Sequence, residues 1–201
     1  NDLAAEAPVV CFIDEAEKIL GQTRAGNHYR AAEAARDSAE SILLQFMEDD
    51  NSGVFFIFTA NDYDKMSPAL LDRFHGRFFI DLPSRSARKD IISSMLEIRQ
   101  RDPSGFDVDA LVKISDGFSG RDIRTAIDEA MKVAFYDEAR PLVDSDLFES
   151  FSQAVPTSEI HKEQIAEMRE MVSQGKMRRA NSQELESGVL VAKDGGYVGW
   201  V

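Results

Sequence analysis

The chain has 201 residues, 43% of them hydrophobic and 29% charged, an ordinary globular composition sized for one medium domain or one and a half small ones. A net charge of −13 argues against holding nucleic acid on a broad basic face, which needs clustered Lys and Arg, while leaving room for a local basic patch. The single cysteine, Cys11, excludes an intramolecular disulfide and suits a reducing compartment; no apolar run approaches the eighteen or so residues of a membrane span. The first residues, Asn1-Asp2-Leu3-Ala4-Ala5-Glu6, have neither Met nor the basic and hydrophobic regions of a signal peptide, so the sequence reads as a processed or truncated chain. Pro8 to Ile13 is an apolar, β-branched run, predicted as a strand buried on both faces with Cys11 inside it, and it ends in the carboxylates Asp14 and Glu15. Ala16 to Leu20 reads as a helical turn, and Gly21 to His28 as a mobile surface loop.

Tyr29 to Met47 is rich in Ala and Glu, and its spacing predicts a helix that buries Ala35, Ala39, Ile42, Leu43 and Phe46 on one stripe. Asp49 to Gly53 is a turn by composition and does not fit the twelve-residue calcium loop. Val54 to Phe58 reads as a second buried strand, followed by Thr59-Ala60-Asn61-Asp62. Ser67 to Asp72 predicts a short helix with a serine cap and a first-position proline. Phe78 to Ile80 reads as a third strand, closed by Asp81-Leu82-Pro83. Strands alternating with helices imply an α/β fold with a parallel sheet and crossovers.

From Ser84 onward the pattern is helical. Predicted helices run over 87–101 (Ile91, Ile92, Met95, Leu96 and Ile98 inward), 107–115 (Leu111, Val112, Ile114), 119–136 behind the cap Ser119, and from Asp144 to Pro156. Ser158 to Met177 reads as one amphipathic helix ended near Arg178-Arg179, and 189–198 as a hairpin around Asp194-Gly195 that is marginal on its own. The domains expected are a partial parallel-sheet α/β subdomain over 1–83, an all-helical subdomain over 84–155 and a helical tail over 156–201.

A buried strand that ends in Asp14-Glu15 suits a nucleoside triphosphatase, where one carboxylate holds Mg²⁺ and its neighbour orients the attacking water. Taken alone, the octapeptide fits equally a strand that runs out into a polar turn. His28, His75 and His161 are scattered and make no zinc cluster, and a single cysteine gives little support to a Cys-His nucleophile.

Several segments in order resemble the AAA family of P-loop ATPases. Val9 to Glu15 looks like the Walker B strand, and Phe58-Thr59-Ala60-Asn61 like the sensor-1 strand end. Ser67 to Phe74 looks like the segment carrying the arginine finger, and Asp116-Gly117-Phe118-Ser119-Gly120-Arg121-Asp122-Ile123 like the sensor-2 helix of the lid. Ala154 to Ser182 is similar to the tail of a cyanobacterial and plastid branch of that family. The resemblance implies ATP and Mg²⁺ as cofactors, with Asp14 completing the metal shell through water and Glu15 polarising the hydrolytic water. It implies that Asn61 holds that water or a γ-phosphate oxygen, and that an arginine reaches the nucleotide of a neighbouring subunit. A ring, usually a hexamer, that remodels or threads a protein partner follows from it, in the cytoplasm or the plastid stroma. The alternative is a non-hydrolysing assembly or regulatory module, with a DNA-handling relative disfavoured by the acidic balance.

The sequence departs from the family in three places. Arg73-Phe74-His75-Gly76-Arg77 has one residue more between its arginines than the usual Arg-x-Gly-Arg, which ranks Arg73 above Arg77 as the finger. Arg121 stands where many relatives have a small residue, at a helix start from which it would contact phosphate within its own subunit. No Gly-x-x-x-x-Gly-Lys-[Ser/Thr] occurs in these 201 residues; Gly21 to Gly26 has the spacing but is followed by Asn27-His28. Without those amides and that lysine, the chain as it stands is expected to bind ATP poorly, with the missing loop expected upstream.

Overall fold

A computed structural model describes residues 8–20, 30–48 and 53–180, with the side chains of the first long helix described from Ser38 onward. The loop expected over 21–28, Asp49 to Ser52 and the expected hairpin at 189–198 lie outside the described residues. The chain divides into two units, 1–76 and 77–201, which groups Phe78 to Pro83 and the tail with the helices.

In the first unit, β1 (Val9–Ile13) and β2 (Val54–Phe58) run parallel in a register that sets Val9 opposite Val54 and Ile13 opposite Phe58. Between them come α1 (Ala16–Leu20) and α2 (Arg30–Met47). Side chains alternate across a strand, and here the alternation separates a covered face from an open one. Cys11, Ile13, Phe56 and Phe58 point to the covered side, whereas Val10, Phe12, Phe55 and Ile57 are 61, 59, 64 and 42% exposed. The expectation of strands buried on both faces is therefore corrected for the described residues, and Cys11 is half-buried, not buried.

The covered side packs on Ala16, Leu20, Met66 and Leu70, joined by Leu43, Leu44, Met47 and Phe74. Of the expected stripe of α2, Leu43 and Phe46 are kept, Leu43 on this cluster and Phe46 edge-to-face with Phe56 at 5.9 Å. Leu44 and Met47 face the cluster, whereas Ile42 is 69% exposed and Ala39 is exposed; Ala35 lies outside the described side chains. A helix next to a two-stranded sheet buries the face its neighbours reach, which the periodicity of α2 alone leaves ambiguous. A 3₁₀ turn (Tyr63–Lys65) leads to α3 (Pro68–Leu71), capped as expected: Leu70 N donates to Ser67 Oγ at 3.2 Å, and Pro68 occupies a position whose N–H has no helical partner.

The second unit opens with β3 (Phe78–Phe79). It pairs with β4 (Arg178–Arg179), a strand the sequence reading ended as a helix terminus, and not with the β1–β2 pair. Four helices then enclose a core: α4 (Arg85–Ile98), α5 (Val108–Ile114), α6 (Gly120–Tyr136) and α7 (Asp144–Gln153). Three of them start on a polar cap, Ser84, Asp107 and Ser119 accepting from the third residue on, whereas α7 starts behind Val143, whose N–H donates to Asp146 Oδ2 at 3.1 Å. Ile92, Leu96, Leu111, Phe118, Ile123, Ile127, Leu147 and Phe151 are essentially inaccessible, and each such side chain contributes roughly 1.5–3 kcal/mol. Ile98 and Ile114, expected inside, sit at helix ends and are exposed.

The single helix expected over 158–177 is two, α8 (Thr157–Ile160) and α9 (Lys162–Ser173). The break falls at His161, whose φ of −114° and ψ of 30° leave the helical region. The reason lies at the start of α8, which is bonded to α6: Thr157 N donates to Asp122 Oδ2 at 2.9 Å and Ser158 N to Gly117 O at 3.1 Å. Gly117 has φ +74°, and a Cβ there would lie 2.0 Å from Ser158 Oγ, so only glycine admits this approach.

Candidate functional site at the β1 and β2 ends

The parallel register continues past the strands: Thr59 N donates to Ile13 O at 3.0 Å and Ala16 N to Thr59 O at 2.8 Å. That ladder sets Asp14 and Thr59 side by side at the carboxyl ends of neighbouring parallel strands, where open α/β sheets place their ligands. Thr59 Oγ1 donates to Asp14 Oδ1 and accepts from Glu15 N at 3.0 Å. Asn61 Nδ2 donates to Glu15 Oε1 at 3.1 Å. Asp14, Glu15 and Asn61, three of the residues singled out from the sequence, are thus brought together.

Glu15 has φ +49°, a left-handed conformation that costs a side-chain-bearing residue roughly 1–2 kcal/mol. The bonds from Glu15 N and Ala16 N to Thr59 hold it there, and the turn lets the Glu15 carboxylate meet Asn61 across the strand ends. Such strain at a polar strand end is characteristic of functional sites. Lys18 Nζ pairs with Glu15 Oε2 from one turn along α1. That bond raises the ammonium above its ordinary value, against a smaller opposing effect of burial.

Thr59 and Lys18 carried no role in the sequence reading. The signal for Thr59 was available in principle, because a polar residue directly after β2 falls opposite Asp14 once the register is known. Lys18 is three residues from Glu15, a helical neighbour spacing.

The carboxylates suit a hard cation that keeps its water. Among the described residues no group of three or more His, Cys, Asp or Glu side chains forms a cage. Mg²⁺ needs none, since it takes one or two carboxylates and completes its octahedron with water and phosphate oxygens. Asp14, exposed and oriented by Thr59, meets that demand.

Arg73 follows α3 and is half-buried. Its Nη2 pairs with Glu48 at the end of α2, its Nη1 lies 3.5 Å from Ala69 O, and its Nε is buried with no bond. Phe74 anchors this segment on β2, its ring edge-to-face with Phe58 at 4.9 Å. Glu48 was not anticipated, since nothing local links it to a residue 25 positions on. Arg77 lies in the second unit, immediately before β3, and its carbonyl accepts from Arg178 N at 2.8 Å. Arg121 is exposed at the second position of α6, where it lines a groove of about 490 Å³ between α6 and α7 with Glu129, Val133, Glu149 and Val155.

Residues 1–82 match the profile of the ATPase family associated with various cellular activities (AAA). The uncharacterized AAA domain-containing protein ycf46 of Guillardia theta is 32% identical over 178 residues, 87% of this chain and 34% of that protein. The ATP-dependent zinc metalloprotease FtsH of Karelsulcia muelleri is 33% identical over 133 residues, 64% of this chain and 21% of that protein. The chain therefore spans about a third of the length of the ycf46 protein. Among solved structures, the FIGL-1 AAA domain in complex with ADP superposes with a TM-score of 0.66 at 19% identity, covering 83% of this chain and 57% of that one. At that identity the likeness speaks for the fold alone.

Proposed function

Because the chain belongs to the AAA family, with its α/β fold, we propose that it is a portion of an ATP hydrolase whose complete form carries the phosphate loop. The observation that carries this reading is the polar cluster at two neighbouring parallel strand ends: Asp14 against Thr59, and Glu15 against Asn61. In the complete protein Asp14 would hold Mg²⁺, which offsets the charge of the phosphates. Glu15 accepts a proton from, or polarises, the attacking water, and Asn61 fixes the carboxylate that does so. Lys18 holds the other Glu15 oxygen and must yield it for the carboxylate to act as a base.

Arg73 is the leading candidate for the guanidinium that stabilises charge on a neighbouring subunit's nucleotide, with Arg77 second and Arg121 contacting phosphate in its own subunit. Use of Arg73 in this way requires exchange of its Glu48 partner for phosphate. A finger that acts between subunits entails a ring, a hexamer by family habit, and a protein partner remodelled by its motion. The reading places it in the cytoplasm or the plastid stroma.

The test is Mg²⁺-dependent ATP hydrolysis by the complete protein, compared with its Glu15→Gln form. Binding of ATP by both with turnover by the first alone supports the proposal. Binding without turnover by either would make the protein a non-hydrolysing assembly module.

A further inference from the structure

A buried carboxylate that the strand-end chemistry does not use lies in the second unit. The side chain of Asp81 is 4% exposed, and two guanidiniums converge on it. Arg169, from α9, grips both oxygens, with Nη2 2.9 Å from Oδ1 and Nε 3.0 Å from Oδ2. Arg179, from β4, places Nη1 3.1 Å from Oδ2, and Leu82 N donates to Oδ1 at 2.8 Å. A carboxylate removed from water to this degree is tolerable only with such partners, and its removal leaves two cations facing each other.

The partners come from residues 88 and 98 positions later, so the cluster joins the tail to the segment around β3. The amides at both ends of β4 hold it on β3: Arg178 N donates to Arg77 O at 2.8 Å and Ala180 N to Phe79 O at 2.9 Å. A pairing of two residues on each strand does not sustain itself. The ion cluster at its edge supplies what the ladder lacks. The carbonyl of Arg77, one of the two arginines assigned to the finger, is therefore held by the tail.

We propose that Asp81 is a positioning residue: by gripping Arg169 and Arg179 it seats β4 on β3 and fixes the backbone that carries Arg77. The inference rests on the ATPase reading for its consequence, though not for the strap itself. Held backbone narrows the directions open to Arg77, and a misdirected guanidinium weakens stabilisation of the transition state more than binding of the nucleotide.

The experiment compares Asp81→Asn, Arg179→Gln and Arg179→Lys in the full-length protein by amide hydrogen exchange and by ATP turnover. For Asp81→Asn, exchange at Arg178 and Ala180 is expected to rise about tenfold or more while the amides of α4–α7 keep their protection. Its kcat is expected to fall about tenfold with KM for ATP within about twofold, and Arg179→Lys to recover most of what Arg179→Gln loses. Unchanged exchange at β4 overturns the strap, and increased exchange with unchanged kcat overturns the positioning role. Loss of protection throughout α4–α7 with kcat and KM both impaired shows a merely structural residue and also overturns it. Should Asp81→Asn fail to fold, the two Arg179 variants decide by the same readings. A wild-type protein without turnover overturns the ATPase reading and the positioning role together, while exchange still reports whether Asp81 seats the strand.

Discussion

The two units differ in how far they close their own hydrophobic surface. In the second, four helices wrap Phe118, Ile127, Leu147 and Phe151 out of reach of water. In the first, the buried cluster is small, and the far face of β1 and β2 presents Val10, Phe12, Phe55 and Ile57 to solvent. Parallel strands are ordinarily covered on both faces, so the first unit's strands carry apolar side chains that their own described neighbours do not use. The first unit nevertheless holds the polar cluster of Asp14, Glu15, Thr59 and Asn61, each joined to another by a hydrogen bond. The polar cluster at the strand ends and the sealed hydrophobic core are thus in different units.

Substitutions that separate turnover from stability sharpen this contrast most. Glu15→Gln in the complete protein is expected to reduce ATP turnover by roughly 10²–10⁴-fold, the range spanned by a positioned base. ATP binding and the unfolding midpoint should stay at their wild-type values, as read by nucleotide titration and thermal melts. Phe151→Ala is expected to do the opposite. It removes a ring stacked on Phe118 at 5.8 Å in a sealed core, at a cost of about 3–5 kcal/mol by denaturant unfolding. Phe12→Ala, on the open face of β1, should cost less than about 1 kcal/mol in this chain. A cost for Phe12 equal to that for Phe151 would erase the distinction between the units.

The sequence shows these differences unevenly. The carboxylate pair, the capped starts at Ser67 and Ser119, and the stripe of Ile123, Ala126, Ile127, Ala130 and Ala134 on α6 are written in local spacing, and the structure keeps them, whereas the caps at Ser84 and Asp107 emerge only with the structure. Three features are not local. The open face of β1 and β2 depends on what lies across the sheet, which an apolar run of five residues does not encode. The pairing of β3 with β4 joins residues about a hundred positions apart through two-residue strands without a periodic pattern. The Glu48–Arg73 pair likewise links charges that look independent along the chain. Even the break at His161 follows from a distant cause, the bonding of Thr157 and Ser158 to the start of α6. For the site, the strand ends supplied Asp14, Glu15 and Asn61, and the missing partner Thr59 needed the register.

Gly117→Ala tests how firmly the second unit closes where the tail meets α6. A left-handed alanine costs roughly 1–2 kcal/mol, and overlap with Ser158 adds to it, so about 2–3 kcal/mol of destabilisation is expected. Ser119→Ala, which removes the Oγ that accepts from Asp122 N, should cost about 1 kcal/mol. Loss of protection in α8 by hydrogen exchange would accompany the first substitution.

The smallest expected effect concerns acid. Asp122 closes the reciprocal cap of α6: its Oδ2 accepts from Ser119 N at 2.8 Å and from Thr157 N at 2.9 Å. Burial pushes its carboxyl up, but the bonds from Thr157 and Ser119 outweigh burial and hold it below the ordinary value of 3.8. With the folded value depressed, the native state binds fewer protons than the unfolded chain between the two values. The stabilisation is therefore complete above about pH 4 and is lost as pH falls through the folded value. Asp122→Asn removes the titration but leaves an amide that can still accept, so the variant should lie slightly below wild type at pH 7 and converge with it as pH falls through the folded value. Denaturant midpoints measured from pH 7 to pH 2 check this. Curves that stay parallel down to pH 2 would mean that Asp122 is no more acidic folded than unfolded, and that the cap is held by Ser119 alone.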